Sequence, residues 1–174
     1  MESDLREFLE MLYQATARIE RHYFQLPIAG EEDPVYRERV YCYELYHRIR
    51  QVIPPDYPSV LNGEVDKAGH PLIRDEIGSA KPDFVVHVPG VMHRNLAVVE
   101  VKPITAHDDD IRDDLRKLRL FRERAYYLGA VYLVYGNAKG GVGRFKDLLR
   151  LERRPPVLLW HSDPGSPAYP ISQS

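Results

Sequence analysis

Leu96-Ala97-Val98-Val99-Glu100-Val101-Lys102 is a short apolar run that ends by setting a carboxylate and an ammonium two residues apart. In a strand the side chains alternate between faces, so Glu100 and Lys102 share one side while Ala97, Val99 and Val101 share the other. Upstream, Lys81-Pro82-Asp83-Phe84-Val85-Val86 offers a second carboxylate at the start of another apolar run. The segment between them, Pro89-Gly90-Val91-Met92-His93-Arg94-Asn95, reads as a polar, Gly-containing turn. An antiparallel pairing centred near Met92 then brings Asp83 opposite the Glu100 to Lys102 end, whereas a slip of one residue would turn it to the other face. Charges left unpaired in an apolar setting are costly, and a divalent cation held by Asp83 and Glu100 is one way to neutralise them. The competing reading of the same residues is an Asp at a strand start and a Glu-Lys pair facing water from an edge strand.

Working outward, Leu5, Phe8, Leu9, Leu12, Ala15 and Ile19 recur at helical spacing, which predicts a first helix from about Ser3 to Tyr23 with Ser3 as its cap. Pro27, Gly30 and Pro34 break the chain. A second helix is expected from about Tyr36 to Ile53, burying Cys42, Leu45, Ile49 and Val52 and stopped by Pro54-Pro55. Strands are expected at Val60 to Val65, Phe84 to Val88 and Leu96 to Val101. A third helix follows from about Asp109 to Tyr127, with Ile111, Leu115, Leu118 and Ala125 on one side. Strand Ala130 to Tyr135, a short helix near Arg144 to Leu151 and strand Val157 to Trp160 complete the pattern.

Asp83 followed by Glu100-Val101-Lys102, each on a strand and with Pro82 leading, resembles the PD-(D/E)XK nuclease superfamily. The resemblance implies an α/β fold with a restriction-endonuclease-like core, a mixed central β-sheet flanked by helices in the order αβββαβ. It covers about residues 36–160, within a single domain at 1–162. The N-terminal helix is then an addition, and residues 163–174 are expected to be a flexible tail. It also implies Mg²⁺ or Mn²⁺ bound by Asp83 and Glu100, with the Val101 carbonyl completing the coordination and Lys102 positioning or activating the attacking water. Hard oxygen ligands suit these cations. The implied activity is hydrolysis of phosphodiester bonds in DNA, with RNA as a second substrate class. The alternatives are a catalytically inactive nuclease-fold module that binds protein or nucleic acid, and a metal-dependent enzyme acting on another phosphate ester.

Members of the superfamily often take a further acidic ligand from the helix before the first core strand, where this chain has Glu44, or from that strand, where it has Glu64. For Glu44 the other reading is an ion pair with Arg48 at i+4. For Glu64 it is a surface turn through Asp66, Lys67, Ala68, Gly69 and His70. Asp108, Asp109 and Asp110, with Asp113 and Asp114 behind them, read as caps and first-turn charges on the third helix. Arg112, Arg116 and Arg119 form a basic stripe on that helix, either solvating its outer face or lying along a phosphate backbone. Exonuclease-like branches of the superfamily carry Gln-x-x-x-Tyr on this helix. Here Arg122 replaces the Gln and Tyr126 keeps the Tyr, leaving a guanidinium fork suited to phosphate. His87 is expected on the Asp83 face as a structural or surface histidine.

The chain has 174 residues, 44% hydrophobic and 29% charged, with a net charge of -2. Such a composition suits one soluble core, and the near-neutral charge implies modest, salt-sensitive nucleic-acid affinity carried by a local basic patch. Cys42 is the only cysteine, which excludes an intrachain disulfide and a Cys-based zinc site. The charged start Met1-Glu2-Ser3-Asp4-Leu5-Arg6-Glu7 lacks the apolar stretch of a secretion signal, and no run reaches membrane-spanning length. A cytoplasmic protein with no membrane partner is expected. The loop Gly136-Asn137-Ala138-Lys139-Gly140-Gly141-Val142-Gly143 is not a nucleotide-binding P-loop, because it does not read G-x-x-x-x-G-K-[ST].

Overall fold

The computed structural model describes residues 1–64, 80–138 and 141–172. The turn expected through Asp66 to His70, the end of the first strand at Val65, and Lys139 and Gly140 lie outside the described residues. Within them the fold is mixed α/β. Five helices, α1 (Glu2–Thr16), α2 (Arg21–Phe24), α3 (Glu38–Val52), α4 (Asp108–Arg124) and α5 (Gly143–Leu149), accompany six strands. These are β1 (Val60–Gly63), β2 (Phe84–His87), β3 (Asn95–Pro103), β4 (Gly129–Tyr135), β5 (Val157–His161) and β6 (Tyr169–Pro170).

The strands form one open sheet in chain order. β1, β2 and β3 are antiparallel neighbours, β4 and β5 continue parallel to β3, and β6 returns antiparallel along β5. Every residue of β4 is buried, as is β3 up to Val101. Parallel strands covered on both faces need such continuous apolar runs. On one face Val99, Val101, Val131, Leu133 and Tyr135 pack with Phe8 and Leu12 of α1 and with Tyr41, Leu45 and Ile49 of α3. On the other, Val85, Val98, Tyr132, Val134 and Leu158 meet Ile111, Leu115, Leu118 and Phe121 of α4, together with Phe145 and Leu149 of α5. The result is a three-layer arrangement in which α1 is part of the core. Gly136, just after β4, sits at φ +113°, and a Cβ there would lie 2.7 Å from Ile104 Cγ2 and 2.8 Å from Tyr36 Cζ. No other residue type fits that crossover.

Three expectations need correction. The first helix ends at Thr16 because the Thr16 hydroxyl donates back to the carbonyls of Leu12 (2.8 Å) and Tyr13 (3.0 Å), and the chain then turns into α2. Ser3 lies inside α1 and bonds Asp4 instead of capping, and α4 starts after His107 with no side-chain cap. Asp108, Asp109 and Asp110 therefore favour α4 through its dipole rather than as caps, with Asp109 also paired to Arg112 and Asp108 to Arg144. Finally, the tail is anchored: Ala168 N–H donates to Thr16 Oγ1 (2.8 Å), Gly165 N–H to the Ile19 carbonyl (3.1 Å), and Ile171 N–H to the Leu158 carbonyl (2.9 Å). With β6 it covers the β5 edge. No helix among the described residues is long and apolar enough to cross a membrane.

Candidate functional site

The β2–β3 ladder pairs Phe84 with Val99 and Val85 with Val98, and continued by one residue it sets Asp83 beside Glu100. Here the regular ladder stops, and the Asp83 carboxylate takes over as acceptor: the Val101 N–H donates to its Oδ2 at 2.7 Å. The Val101 carbonyl points to the same side of the strand as its N–H. Glu100 and Lys102 project onto the α4 face, one buried and one half-buried.

α4 meets them with charges of its own. Lys117 Nζ lies 2.9 Å from Glu100 Oε1 and 2.9 Å from Asp114 Oδ1. Lys102 Nζ lies 3.4 Å from Asp114 Oδ2 and donates to Glu38 Oε2 of α3 at 2.8 Å. The Tyr132 hydroxyl, from β4, donates to Asp114 Oδ2 at 3.2 Å. Glu100 is only 1% exposed, and neither of its oxygens receives a well-aligned hydrogen bond, the Lys117 contact being an ion pair alone. With Glu64, Arg39 and Lys81, which line the cleft beside them, five carboxylates (Glu38, Glu64, Asp83, Glu100 and Asp114) face four cations (Arg39, Lys81, Lys102 and Lys117).

The titration behaviour follows. Burial pushes the Asp83 carboxyl up to about 6, a rise that the Val101 N–H partly offsets. Burial, and then Asp83 and Asp114, hold Glu100 well above the usual carboxylate range. For Lys102 burial works against the charged form but is outweighed by Asp114 and Glu38, so its pKa rises. Lys117 is raised in the same way by Glu100 and Asp114.

The cluster opens into a cleft of about 260 Å³ lined by Glu38, Glu64, Lys81, Asp83, Glu100 and Lys102, among others. Sharing Cys42, Glu64 and Asp83 with it is a second hollow of about 450 Å³, walled by Tyr43, Tyr46, Asn62 and Phe84. Among the described residues no three His, Cys, Asp or Glu side chains are grouped as a ready metal site. What the cluster offers is a pair of hard carboxylates, Asp83 and Glu100, of which the first disfavours charge on the second, with carboxylates still in excess of cations around them. The donor type fits Mg²⁺ or Mn²⁺.

Asp83, Glu100, Val101 and Lys102 are therefore brought together. Glu64 stands at the rim, exposed, with φ +45°, its N–H donating to the Asp83 carbonyl (3.0 Å) and its carboxylate 3.6 Å from Arg39. Glu44 is not in the cluster. It is buried against Arg48, whose Nε lies 2.5 Å away and which also reaches Glu20 at 3.0 Å. Glu38, in the first turn of α3, is the carboxylate of that helix that reaches the cluster, through Lys102. Arg112 and Arg116 pair with Asp109 (3.1 Å) and Asp113 (3.9 Å) on the exposed side of α4. Arg119 meets Glu152, Arg122 donates to the Arg154 carbonyl, and Tyr126 is exposed at φ +57° beyond the helix end. None of these five enters the carboxylate cluster. His87 pairs with Asn62 (2.9 Å), and Cys42 is buried with its thiol pushed up, chiefly by that burial.

Glu38, Asp114, Lys117 and Tyr132 were missed in the sequence. For Asp114 a signal existed: it falls on the apolar stripe of Ile111, Leu115 and Leu118, where a charge demands a partner. Comparison of the chain with protein-family models, with curated proteins and with solved structures finds no match in any of the three.

Proposed function

We propose that this protein hydrolyses phosphodiester bonds of nucleic acid, DNA before RNA, at the cluster of Asp83, Glu100 and Lys102 with Mg²⁺ or Mn²⁺ as cofactor. One observation carries the reading: a carboxylate just before β2 and another on β3, the first disfavouring charge on the second, converge beside a lysine at the mouth of a cleft. The resemblance to the PD-(D/E)XK superfamily agrees with it, as does the order of a helix, three antiparallel strands, a helix and a strand parallel to the third.

Asp83, Glu100 and the Val101 carbonyl are the groups that would hold the cation, with Glu64 at the rim. When bound, it would supply polarisation of the phosphoryl oxygens and a lowered pKa for the attacking water. Lys102, whose charged form is favoured by Asp114 and Glu38, would position or activate the attacking water, or offset charge developing on the phosphate. Lys117 and Asp114 fix Glu100 and Lys102 in place from α4.

A second reading, a non-catalytic interaction or nucleic-acid-binding module, draws on the Lys117 ammonium, which already sits in contact with Glu100. The test is cleavage of labelled single- and double-stranded DNA and RNA with Mg²⁺ or Mn²⁺, run beside a Lys102→Ala variant whose fold is checked by circular dichroism. Metal-dependent cutting lost in the folded variant establishes the nuclease. No cutting and no metal binding by calorimetry establishes the module.

A further inference from the structure

Remote from the carboxylates, the C-terminal half of α4 and the loop before β5 enclose a hollow of about 440 Å³ lined by Arg119, Arg122, Arg153 and Arg154, with Glu123 and Glu152. Four guanidinium groups against two carboxylates give it a positive excess in a chain whose net charge is -2. Of the four, Arg119 is paired, with Glu152 at 3.1 Å. Arg153 and Arg154 have no ion-pair partner among the described residues. Arg122 is held in place by donating Nη1 to the Arg154 carbonyl (2.8 Å), while its Nε is buried with no hydrogen-bond partner among the described residues. Burial, and then the neighbouring Arg154, work against its charge. A small adjoining cavity shares Arg119, Arg122, Glu152 and Arg154 with it and is walled on the other side by the apolar Leu115, Leu118, Ala130 and Pro156. Low-dielectric walls of this kind concentrate the field of the cations beside them.

We propose that this hollow is a phosphate-binding subsite that grips the backbone of the nucleic-acid strand whose scissile bond lies at the Asp83–Glu100 cluster. The choice of occupant rests on the nuclease reading. Planar guanidinium forks match phosphate oxygens in pairs, and the exposed Arg153 and Arg154 present two such forks at the rim of the hollow. The spacing also fits. From Asp114 to Arg122 the helix rises roughly 12 Å, the axial length of about four stacked nucleotides. One helix therefore carries the inner charges of the cleavage cluster and one wall of the arginine hollow.

The test is binding of a fluorescein-labelled single-stranded DNA by anisotropy, in EDTA so that nothing is cut, over a series of KCl concentrations. The wild-type chain is compared with R153A/R154A and R153K/R154K, substitutions on exposed loop residues. The alanine pair is expected to weaken binding and to flatten the plot of log affinity against log salt by about 1.4, the value for two single-strand phosphates, while the lysine pair keeps the wild-type slope. Equal slopes for wild type and the alanine pair overturn the proposal. So does calorimetric binding of inorganic pyrophosphate through these arginines with DNA affinity unchanged, which would assign the hollow to a free phosphate compound. The two readings separate cleanly. Binding through the arginines without metal-dependent cutting removes the nuclease and leaves the subsite, whereas cutting with an unaltered salt slope removes the subsite and leaves the nuclease.

Discussion

Replacing Asp83 by asparagine is expected to stabilise the metal-free protein, and by an amount that depends on pH in a defined direction. Asp83 titrates at about 6 in the fold against an ordinary 3.8, chiefly because it is buried. Below about pH 4 the carboxyl is neutral in folded and unfolded chains alike and has no effect on stability. Between about pH 4 and 6 the unfolded chain gives up its proton first, so stability is lost as pH rises through the folded value. The full loss, at 1.36 kcal/mol for each tenfold change in proton affinity, is about 3 kcal/mol above pH 6. The asparagine side chain has no charge to bury and its amide oxygen still accepts from the Val101 N–H, so the variant escapes the loss. For a chain of this size 3 kcal/mol corresponds to roughly 6 to 12 °C in melting temperature. Thermal melts in EDTA from pH 4 to pH 8 should show the two proteins together at the acid end, with D83N rising above wild type as pH increases. Mg²⁺ should close the gap from the wild-type side, by about 2.7 kcal/mol at a hundredfold excess over its dissociation constant. A D83N protein less stable than wild type at pH 8, or a gap that ignores pH, would refute the reasoning.

Three other substitutions probe different parts of the same argument. Lys117→Met removes an ammonium from the cluster, so melting in EDTA should fall by the equivalent of about 3–5 kcal/mol. Calorimetry should show tighter Mg²⁺ binding as the negative excess grows, and unchanged affinity would mean that Lys117 and the cation do not share Glu100. Tyr43→Ala truncates an exposed ring on the wall of the adjoining hollow, leaving the melting temperature in place. If that wall receives a base of the substrate, KM for single-stranded DNA should rise by a stacking contribution of about 1–3 kcal/mol. Gly136→Ala drives a methyl group into Ile104 and Tyr36 at a positive φ. Its combined strain and overpacking should cost about 2–4 kcal/mol, read as a lower urea midpoint.

The strands of the site were legible because their information is local. Alternation along Leu96 to Lys102 already places Glu100 and Lys102 on one face, and the structure keeps them there, opposite Val99 and Val101. The turn between Val88 and Asn95 brings β2 against β3, but the register at its base would set Asp83 opposite Val99; a bulge between Val86 and His87 shifts the pairing by one residue and puts Asp83 in line with Glu100. Helix ends were less legible. Thr16 bonds back to Leu12 and at the same time accepts from Ala168, a partner far along the chain, so neither the stop of α1 nor the anchoring of the tail shows in any local period. Tyr169 and Pro170 form too short a strand to alternate, and they are held by an edge that exists only once β5 is in the sheet.

The charges of α4 mark where a sequence pattern becomes ambiguous in physical terms. Asp113 and Asp114 look alike in the chain, yet Asp113 pairs with Arg116 at the surface while Asp114 is buried among Lys102, Lys117 and Tyr132. A count of local charge treats both as helix-start carboxylates, whereas the hydrophobic stripe separates them, because only Asp114 shares the side of Ile111, Leu115 and Leu118. The same contrast decides between Glu38 and Glu44. Both lie on α3, but Glu44 has Arg48 one turn on and is satisfied within its own helix and by that arginine alone. Glu38 has no such neighbour and turns to Lys102. A carboxylate with a cation at i+4 is thereby withdrawn from longer-range chemistry, and one without it remains available. Glu38, Asp83, Glu100 and Asp114, the carboxylates that converge at the end of β3, all lack a Lys or Arg four residues on.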